Sequence, residues 1–358
     1  MMPKAADKRR ATVRDVAAAA GVSTATVSRW LNESISLPAG TIERIRQAID
    51  ALGYKPNLHA RRLSLGRTDT LALVVPDIAD PFFAALAGSV EAEADARGRG
   101  VMLCATLNRP SREIDYLDRL NRNHVDGLLF ATNHPDDGAL RACIEKQPGV
   151  VLLDEDVAGV RAPKVFCENE IGGHLATSHL IGAGHRRIGF IGGAAGVMSA
   201  VERSEGYARA LREAGVSVDP ALLSFGGYTA EHGRQAAGRF LALDRRPTAI
   251  FASSDQIAIG VLDALRANDL RVPADISIVA YDDVAPFSHF GPPLTAVRQP
   301  IARMGARAVE ILMTHLSDPA GEPAVERLPV EFMQRESVAP PAHDVFTSRQ
   351  ITTGRTGK

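Results

Sequence analysis

From Thr70 onward the sequence repeats one rhythm, a short run of consecutive apolar residues followed by a stretch with helical periodicity. The runs are LALVVP (71–76), VMLCAT (101–106), GLLFA (127–131), VVLLD (150–154), IGFIGG (188–193), AIFAS (249–253) and ISIVAYDD (276–283). Val, Ile and Leu in unbroken runs bounded by Gly, Asp or Asn mark strands buried on both faces of a parallel sheet, where helices cover each face. Helices fit the spacing at about 82–97, 111–123, 171–184, 201–214, 230–243, 255–268 and 299–316. So many alternating elements over about 270 residues exceed one open sheet, which predicts two similar α/β lobes side by side with a cleft between them. No internal sequence repeat is evident.

The first part of the chain has a different texture. Residues 12–53 predict three short helices, Thr12–Ala20, Ser23–Leu31 and one from about Pro38 to Leu52, the last with Ile42, Ile45, Ile49 and Leu52 at helical spacing. The segment TVRDVAAAAGVSTATVSRWLN (12–32) has the grammar of a helix-turn-helix. Val16, Ala17 and Ala20 face inward against Val22, Val27 and Leu31; Gly21 supplies a left-handed end to the first helix, and Ser23 is a natural N-cap for the second. That leaves Ser23, Thr24, Ala25, Thr26, Ser28, Arg29 and Asn32 on the outer face of the second helix, a face of the size and chemistry that enters a major groove. Charge agrees. Residues 1–66 hold 11 Lys and Arg against 5 Asp and Glu, whereas the rest holds 30 against 37, so a basic module precedes an acidic body.

These residues carry a resemblance. The helix-turn-helix segment, followed by ALGYKPN (51–57), is similar to the headpiece of the LacI/GalR family of bacterial regulators. The likeness extends over nearly all of residues 12–338 through VPDIADPFF (75–83), VDGLLF (125–130), GHRRIGFIGG (184–193), ERSEGY (202–207), RPTAIFASSDQIAIG (246–260), LRVPADISIVAYDD (270–283) and PPLTAVRQP (292–300). The resemblance implies base-edge contacts from Thr24, Ala25 and Arg29, with Thr12, Ser23, Thr26, Ser28, Asn32, Tyr54 and Asn57 contacting phosphates or positioning the helix. Ala25 stands where family members carry an amide and offers only a methyl group.

NLHARRLS (57–64) is helix-capable but too short to hold a helix alone in water. From the octamer itself, a linker with an apolar residue tucked into the next domain fits as well as a helix paired with a second copy. The resemblance implies the latter, a hinge helix in the minor groove with Leu63 as an apolar wedge between base pairs.

Several polar residues follow strands directly, where a two-lobed α/β binder collects its ligand. Asp80, Phe82 and Phe83 follow the first run, Asp154 the VVLL run, Ser254 and Asp255 the AIFA run, and Asp282 and Asp283 the ISIVAY run; Arg203 opens a helix beyond IGFIGG. By resemblance to this family and to periplasmic sugar-binding proteins, the effector set is Asp80, Phe82, Phe83, Asp154, Ser199, Arg203, Tyr228, Ser254 and Asp282. Carboxylates and Arg suit adjacent hydroxyls and an aromatic ring suits a sugar face. Asp255 and Asp283 fit a strand-end cap or a lobe-to-lobe salt bridge better, and Phe83 also fits a core position.

Other classes of function find no support in the motifs. There is no G-x-G-x-x-G after the first strand, no G-x-x-x-x-G-K-[ST], no G-x-S-x-G and no H-E-x-x-H, and GGAAG (192–196) lacks the phosphate-loop lysine. His174, His179 and His185 lack the i, i+4 spacing of paired metal ligands, and Cys104, Cys143 and Cys167 lack disulfide or zinc spacing, which fits a reducing cytoplasm. No export signal or membrane span appears, against a transporter's solute-binding protein, whereas a turnover assay with a ligand panel would expose a sugar- or nucleotide-processing enzyme.

The expected architecture is a small all-α helix-turn-helix headpiece (11–56), a hinge (57–66), and a two-lobed, parallel-sheet α/β domain like periplasmic binding proteins (67–338), followed by a polar, disordered tail (339–358). Lobe 1 is expected at about 69–167 and 297–325, and lobe 2 at about 168–296 and 326–338. The expected function is that of a non-enzymatic, cytoplasmic transcriptional repressor. It would bind a pseudo-palindromic DNA operator as a homodimer and answer to a sugar-like effector, with no cofactor or metal.

Overall fold

The computed structural model describes residues 11–32, 34–54, 68–120, 125–135, 138–147 and 149–341. The chain divides into two compact units at Asp69 and Thr70.

The first unit contains α1 (Val13–Ala20), α2 (Thr24–Leu31) and α3 (Ala39–Leu52). Thr12 and Asp15 form a reciprocal capping box on α1. The Thr12 amide and hydroxyl each donate to Asp15 Oδ2 at 2.8 Å, and the Asp15 amide donates back to Thr12 Oγ1. Gly21 ends α1 at φ 65°, a left-handed conformation that lets the Val22 amide reach the Ala17 carbonyl at 3.1 Å. Ser23 Oγ then accepts the Thr26 amide at 3.0 Å and starts α2. Val16, Ala17, Ala20, Val27, Ile45, Ala48 and Tyr54 form the buried core, with Trp30, Leu31 and Leu37 packed on it.

The second unit holds two six-stranded sheets. β1 (Thr70–Val75), β2 (Gly100–Ala105), β3 (Gly127–Phe130), β4 (Val150–Leu153), β5 (Lys164–Cys167) and β11 (Val325–Leu328) lie in the order β11-β5-β4-β3-β1-β2, all parallel. β6 (Ile188–Gly192), β7 (Leu223–Phe225), β8 (Ala249–Ala252), β9 (Ser277–Tyr281), β10 (Thr295–Arg298) and β12 (Glu331–Met333) lie in the order β12-β10-β9-β8-β6-β7, parallel except where β12 runs against β10. The two orders are the same topology repeated, each closed by a strand from the returning chain.

In the first lobe, Leu71, Leu73 and Val75 of β1 face α4 (Pro81–Ala96) and α11 (Ile301–Ser317), while Ala72 and Val74 face α5 (Pro110–Leu120) and α6 (Ala139–Ile144). In the second lobe α7 (Asn169–Gly182) and α8 (Met198–Glu213) cover one face, and α9 (Ala230–Leu241) and α10 (Asp255–Ala267) the other. Both helix pairs cross on glycines. A Cβ at Gly206 would stand 2.1 Å from the Glu170 carbonyl oxygen, and one at Gly260 would stand 1.9 Å from that of Ala230. Only a residue without a side chain lets these backbones approach so closely.

The lobe boundaries differ from the sequence reading in two places. A boundary between 296 and 297 would cut β10, which belongs wholly to the second sheet, and one between 325 and 326 would cut β11, which belongs wholly to the first. The chain changes lobes at Gln299–Pro300 and again at Pro329–Val330. Each proline lacks the amide that would continue a ladder. The second lobe also runs past 338: the Ala339 carbonyl accepts from His185 Nε2 at 2.9 Å and from Ser277 Oγ at 3.1 Å. The rest of the expected tail, 342–358, and all of the expected hinge, 57–66, lie outside the described residues.

Candidate DNA-reading helix and effector cleft

In the first unit, Ser23, Thr24, Ala25 and Arg29 are exposed on α2 and its cap, and Thr26, Ser28 and Asn32 are half-buried beside them. The exposed N-terminus of α2 presents the positive end of the helix together with small and hydroxyl side chains, which is the chemistry that a phosphate or a base edge accepts. Thr12 and Ser23 already serve as caps, and the Ser23 and Thr26 hydroxyls lie 2.8 Å apart. Tyr54 is buried in the core of the unit, so its ring supports the helices. Asn57 and Leu63 lie outside the described residues.

In the second unit a cleft opens between the lobes at the carboxyl ends of the strands, with about 330 Å³ of unfilled space that includes part of its open mouth. From the first lobe it is lined by Asp80, Phe82, Phe83, Asn133 and Asp154; from the second, by Ser199, Arg203, Tyr228, Ser254, Asp255 and Asp282; Gln299, where the chain changes lobes, completes it. The nine residues expected from sequence share this one space. Asp80 caps α4, its carboxylate accepting the Phe82 amide at 2.9 Å, and Ser254 caps α10, accepting the Ile257 amide at 3.2 Å. Phe83 serves both roles offered for it, lining the cleft and packing in the first lobe's core. Asp154 and Asp282 leave β4 and β9 with φ of 65° and 77°, left-handed backbone that non-glycine residues rarely adopt and that clusters at functional sites.

Arg203 stands in the second turn of α8 and does not open the helix. It is buried, its Nε donates to Asn169 Oδ1 at 2.9 Å, its Nη1 donates to the Ser253 carbonyl at 2.7 Å, and its guanidinium lies 3.8 Å from the centre of the Tyr281 ring. Ser199 joins the lobes: its amide donates to Glu155 Oε2 at 3.0 Å, and its hydroxyl contacts both Glu155 Oε1 and the Tyr228 hydroxyl. Gln299 Nε2 donates to Asp282 Oδ1 at 2.6 Å. A Cβ at Gly193 would meet Tyr228 Cζ at 2.3 Å, so that glycine makes the seat for the Tyr228 ring.

Carboxyl groups dominate the electrostatics. Burial pushes Asp154 up to about 7, opposed by Arg203 and reinforced by Asp282 and Asp80. Burial likewise raises Asp255 to about 8, Glu155 to about 8 and Asp80 to about 6, and raises Asp282.

Asp255, expected to be a cap or an ion-pair partner, accepts the Gln256 amide on Oδ1 at 2.6 Å at the start of α10 and also lines the cleft, with Oδ2 unpartnered. Asp283 does form ion pairs, with Arg298 and Arg335, but all three belong to the second lobe. Asn133 and Gln299 were missed. Gln299 follows β10, a four-residue strand not recognised as one, and Asn133 stands three residues beyond β3. A search for polar residues at every strand end would have found both had β10 been seen.

Residues 12–57 match the bacterial regulatory proteins of the lacI family, and residues 177–338 match the periplasmic binding protein-like domain. The HTH-type transcriptional repressor PurR of Vibrio atlanticus (strain LGP32) is 33% identical over 330 residues, covering 92% of this chain and 98% of that one. The chain belongs to the LacI family of bacterial transcriptional regulators. Among solved structures, a transcriptional regulator CelR–cellobiose complex matches 92% of this chain and 100% of its own at 35% identity and a TM-score of 0.70. The lac repressor dimer bound to operator and the anti-inducer ONPF matches 92% and 100% at 28% identity and a TM-score of 0.80. As a LacI-family member the chain is a non-enzymatic, sequence-specific DNA-binding regulator, built as a helical headpiece and a two-lobed α/β domain of the kind that binds small-molecule effectors. No helix among the described residues is long and apolar enough to cross a membrane, and none of their His, Cys, Asp and Glu side chains group as a metal site.

Proposed function

We propose that this LacI-family chain is a repressor that binds a pseudo-palindromic operator as a homodimer and is switched by a sugar-like effector held between the lobes. The observation that carries the reading is the convergence of Asp80, Asp154, Arg203 and Asp282 from both lobes on one cleft. An effector there meets both lobes at once, so its affinity depends on their arrangement, and by linkage its binding biases that arrangement. The cellobiose in the related CelR structure supports a carbohydrate.

On the DNA side, Thr24, Ala25 and Arg29 read bases, Thr12, Ser23, Thr26, Ser28, Asn32, Tyr54 and Asn57 hold phosphates or position the helix, and Leu63 wedges the operator centre. One headpiece covers too little DNA for tight specific binding, which calls for two. The dimer forms along β2, the terminal strand of the first sheet. Met102 and Leu103 on it are exposed, and Leu107 and Ile78 lie exposed beyond the ends of β2 and β1. An edge with such a row of apolar side chains invites a second copy.

Footprinting the purified protein on its own promoter region tests the proposal. Protection of a near-palindrome, with an affinity that falls steeply with salt, is expected; no footprint and no salt dependence would overturn it.

A further inference from the structure

The cleft is uneven in its hydrogen-bonding chemistry. Several of its donors are spent within the protein: Gln299 Nε2 on Asp282, Arg203 Nε on Asn169 and Nη1 on the Ser253 carbonyl, and the Ser199 amide on Glu155. Three of its acceptors are not. Asp154 Oδ1, Asp255 Oδ2 and Gln299 Oε1 have no hydrogen-bond partner, although each residue is more than nine-tenths buried and each lines the cleft. A buried polar atom without a partner is costly, and three in one cleft mark where a ligand's donors belong. Charge is uneven in the same sense. Asp80 from the cap of α4, Asp154 beyond β4, Asp255 opening α10 and Asp282 beyond β9 share the space with a single guanidinium, that of Arg203 from α8, which faces Asp154 and Asp282. Glu155 adds a fifth carboxyl behind Ser199, and Tyr228, Tyr281 and the Cys167 thiol are further titratable groups near Arg203.

We infer that the effector is a donor-rich polyol carrying no negative charge, either a neutral sugar or its amino derivative, and that sugar phosphates and sugar acids are excluded. This rests on the cleft being the effector site. An anion entering it would meet four carboxyls whose ionised forms it opposes and a guanidinium already facing two of them, whereas hydroxyl or ammonium donors satisfy the three open acceptors. Ligand donors bind the ionised carboxylates, so binding releases protons. Asp154, at about 7 in the empty cleft, is mostly protonated at pH 6 and mostly ionised at pH 8. If the bound form requires it ionised, affinity for a neutral sugar rises at least about tenfold over that interval, and further if Asp255, at about 8, must ionise as well.

The test uses the full chain and matched probes: glucose, galactose, ribose and cellobiose; glucosamine and galactosamine; glucuronate and galacturonate; glucose 6-phosphate and ribose 5-phosphate. Thermal shift at pH 7 ranks them, and calorimetric titration of the best neutral sugar at pH 6 and 8 reads the proton linkage. Shifts confined to neutral and amino members, with tighter binding at pH 8, are expected. Binding of an acid or phosphate, or affinity that is flat or rises toward pH 6, overturns the inference and leaves the cleft reading standing. Calorimetric binding that survives in folded Arg203→Ala and Asp154→Asn proteins places the ligand elsewhere and overturns the cleft reading itself. No shift from any probe overturns both.

Discussion

Gly206 offers the sharpest test of how the second lobe is assembled. A methyl group there would lie 2.1 Å from the Glu170 carbonyl oxygen and 2.6 Å from the His174 amide nitrogen, both backbone atoms of α7, where ordinary contact begins near 3.4 Å. Relief requires α7 and α8 to separate by roughly 1 Å, and packed helices resist this because interiors are as dense as crystals. Overpacking of this kind costs roughly 1–3 kcal/mol, and a clash with backbone sits at the upper end. The better helix propensity of alanine offsets about 1 kcal/mol, leaving a net loss of about 2 kcal/mol for Gly206→Ala. For a unit of this size that lowers Tm by about 3–4 °C. Gly238→Ala is the control. It is also interior to a helix, α9, but it is exposed and a Cβ there meets nothing within 4 Å, so the same propensity gain should raise Tm slightly. Calorimetric melting of the two variants beside the parent decides the matter, and equal shifts would refute the crossing as drawn. Arg203 lies on α8 one turn before Gly206, so Gly206→Ala should also weaken effector binding at temperatures where the protein is folded.

Other consequences can be checked one at a time. Ser23→Ala should destabilise the headpiece by about 1 kcal/mol and Ser23→Gly by only a few tenths, read by denaturant titration of the fluorescence of Trp30, the chain's single tryptophan. The raised carboxyl of Asp154 sets a sign for pH: its contribution is complete below its unfolded value of 3.8 and is lost as pH rises through about 7. The ligand-free protein should therefore lose about 1 kcal/mol from this group between pH 6 and 8, and Asp154→Asn should flatten that slope; parallel slopes would contradict it. Leu63→Ala should weaken specific operator binding far more than non-specific binding in a mobility-shift comparison, and equal losses would remove the wedge.

The sequence was most legible where one pattern answered to one physical cause. Seven strands announce themselves as apolar runs, six of them because helices cover both their faces, while β2 is an edge strand with exposed apolar positions. β5, β7, β10, β11 and β12 do not, because each is three or four residues long and is interrupted or bounded by a polar residue, Lys164, Ser224, Arg298, Glu326 or Glu331, and β11 and β12 are edge strands with exposed positions. Hiding β10 also hid Gln299 and displaced a lobe boundary. Asp255 was read only in part: a carboxylate at the first position of a helix has an ordinary use at the helix start, and only the fold shows that the residue also lines the cleft with one oxygen unpartnered. The glycine crossings were equally out of reach, since a small residue in a helix reveals nothing of its neighbour until the neighbour is placed.

The central claim is that one chain couples an effector cleft to an operator, and a single titration addresses it. Operator affinity is measured by fluorescence anisotropy at fixed salt, without and with a saturating concentration of whichever neutral or amino sugar gives the largest thermal shift. The account predicts a change of at least about fivefold, abolished by Arg203→Ala, which keeps its ligand-free affinity for DNA. Equal affinities with and without a ligand known to occupy the cleft would contradict it.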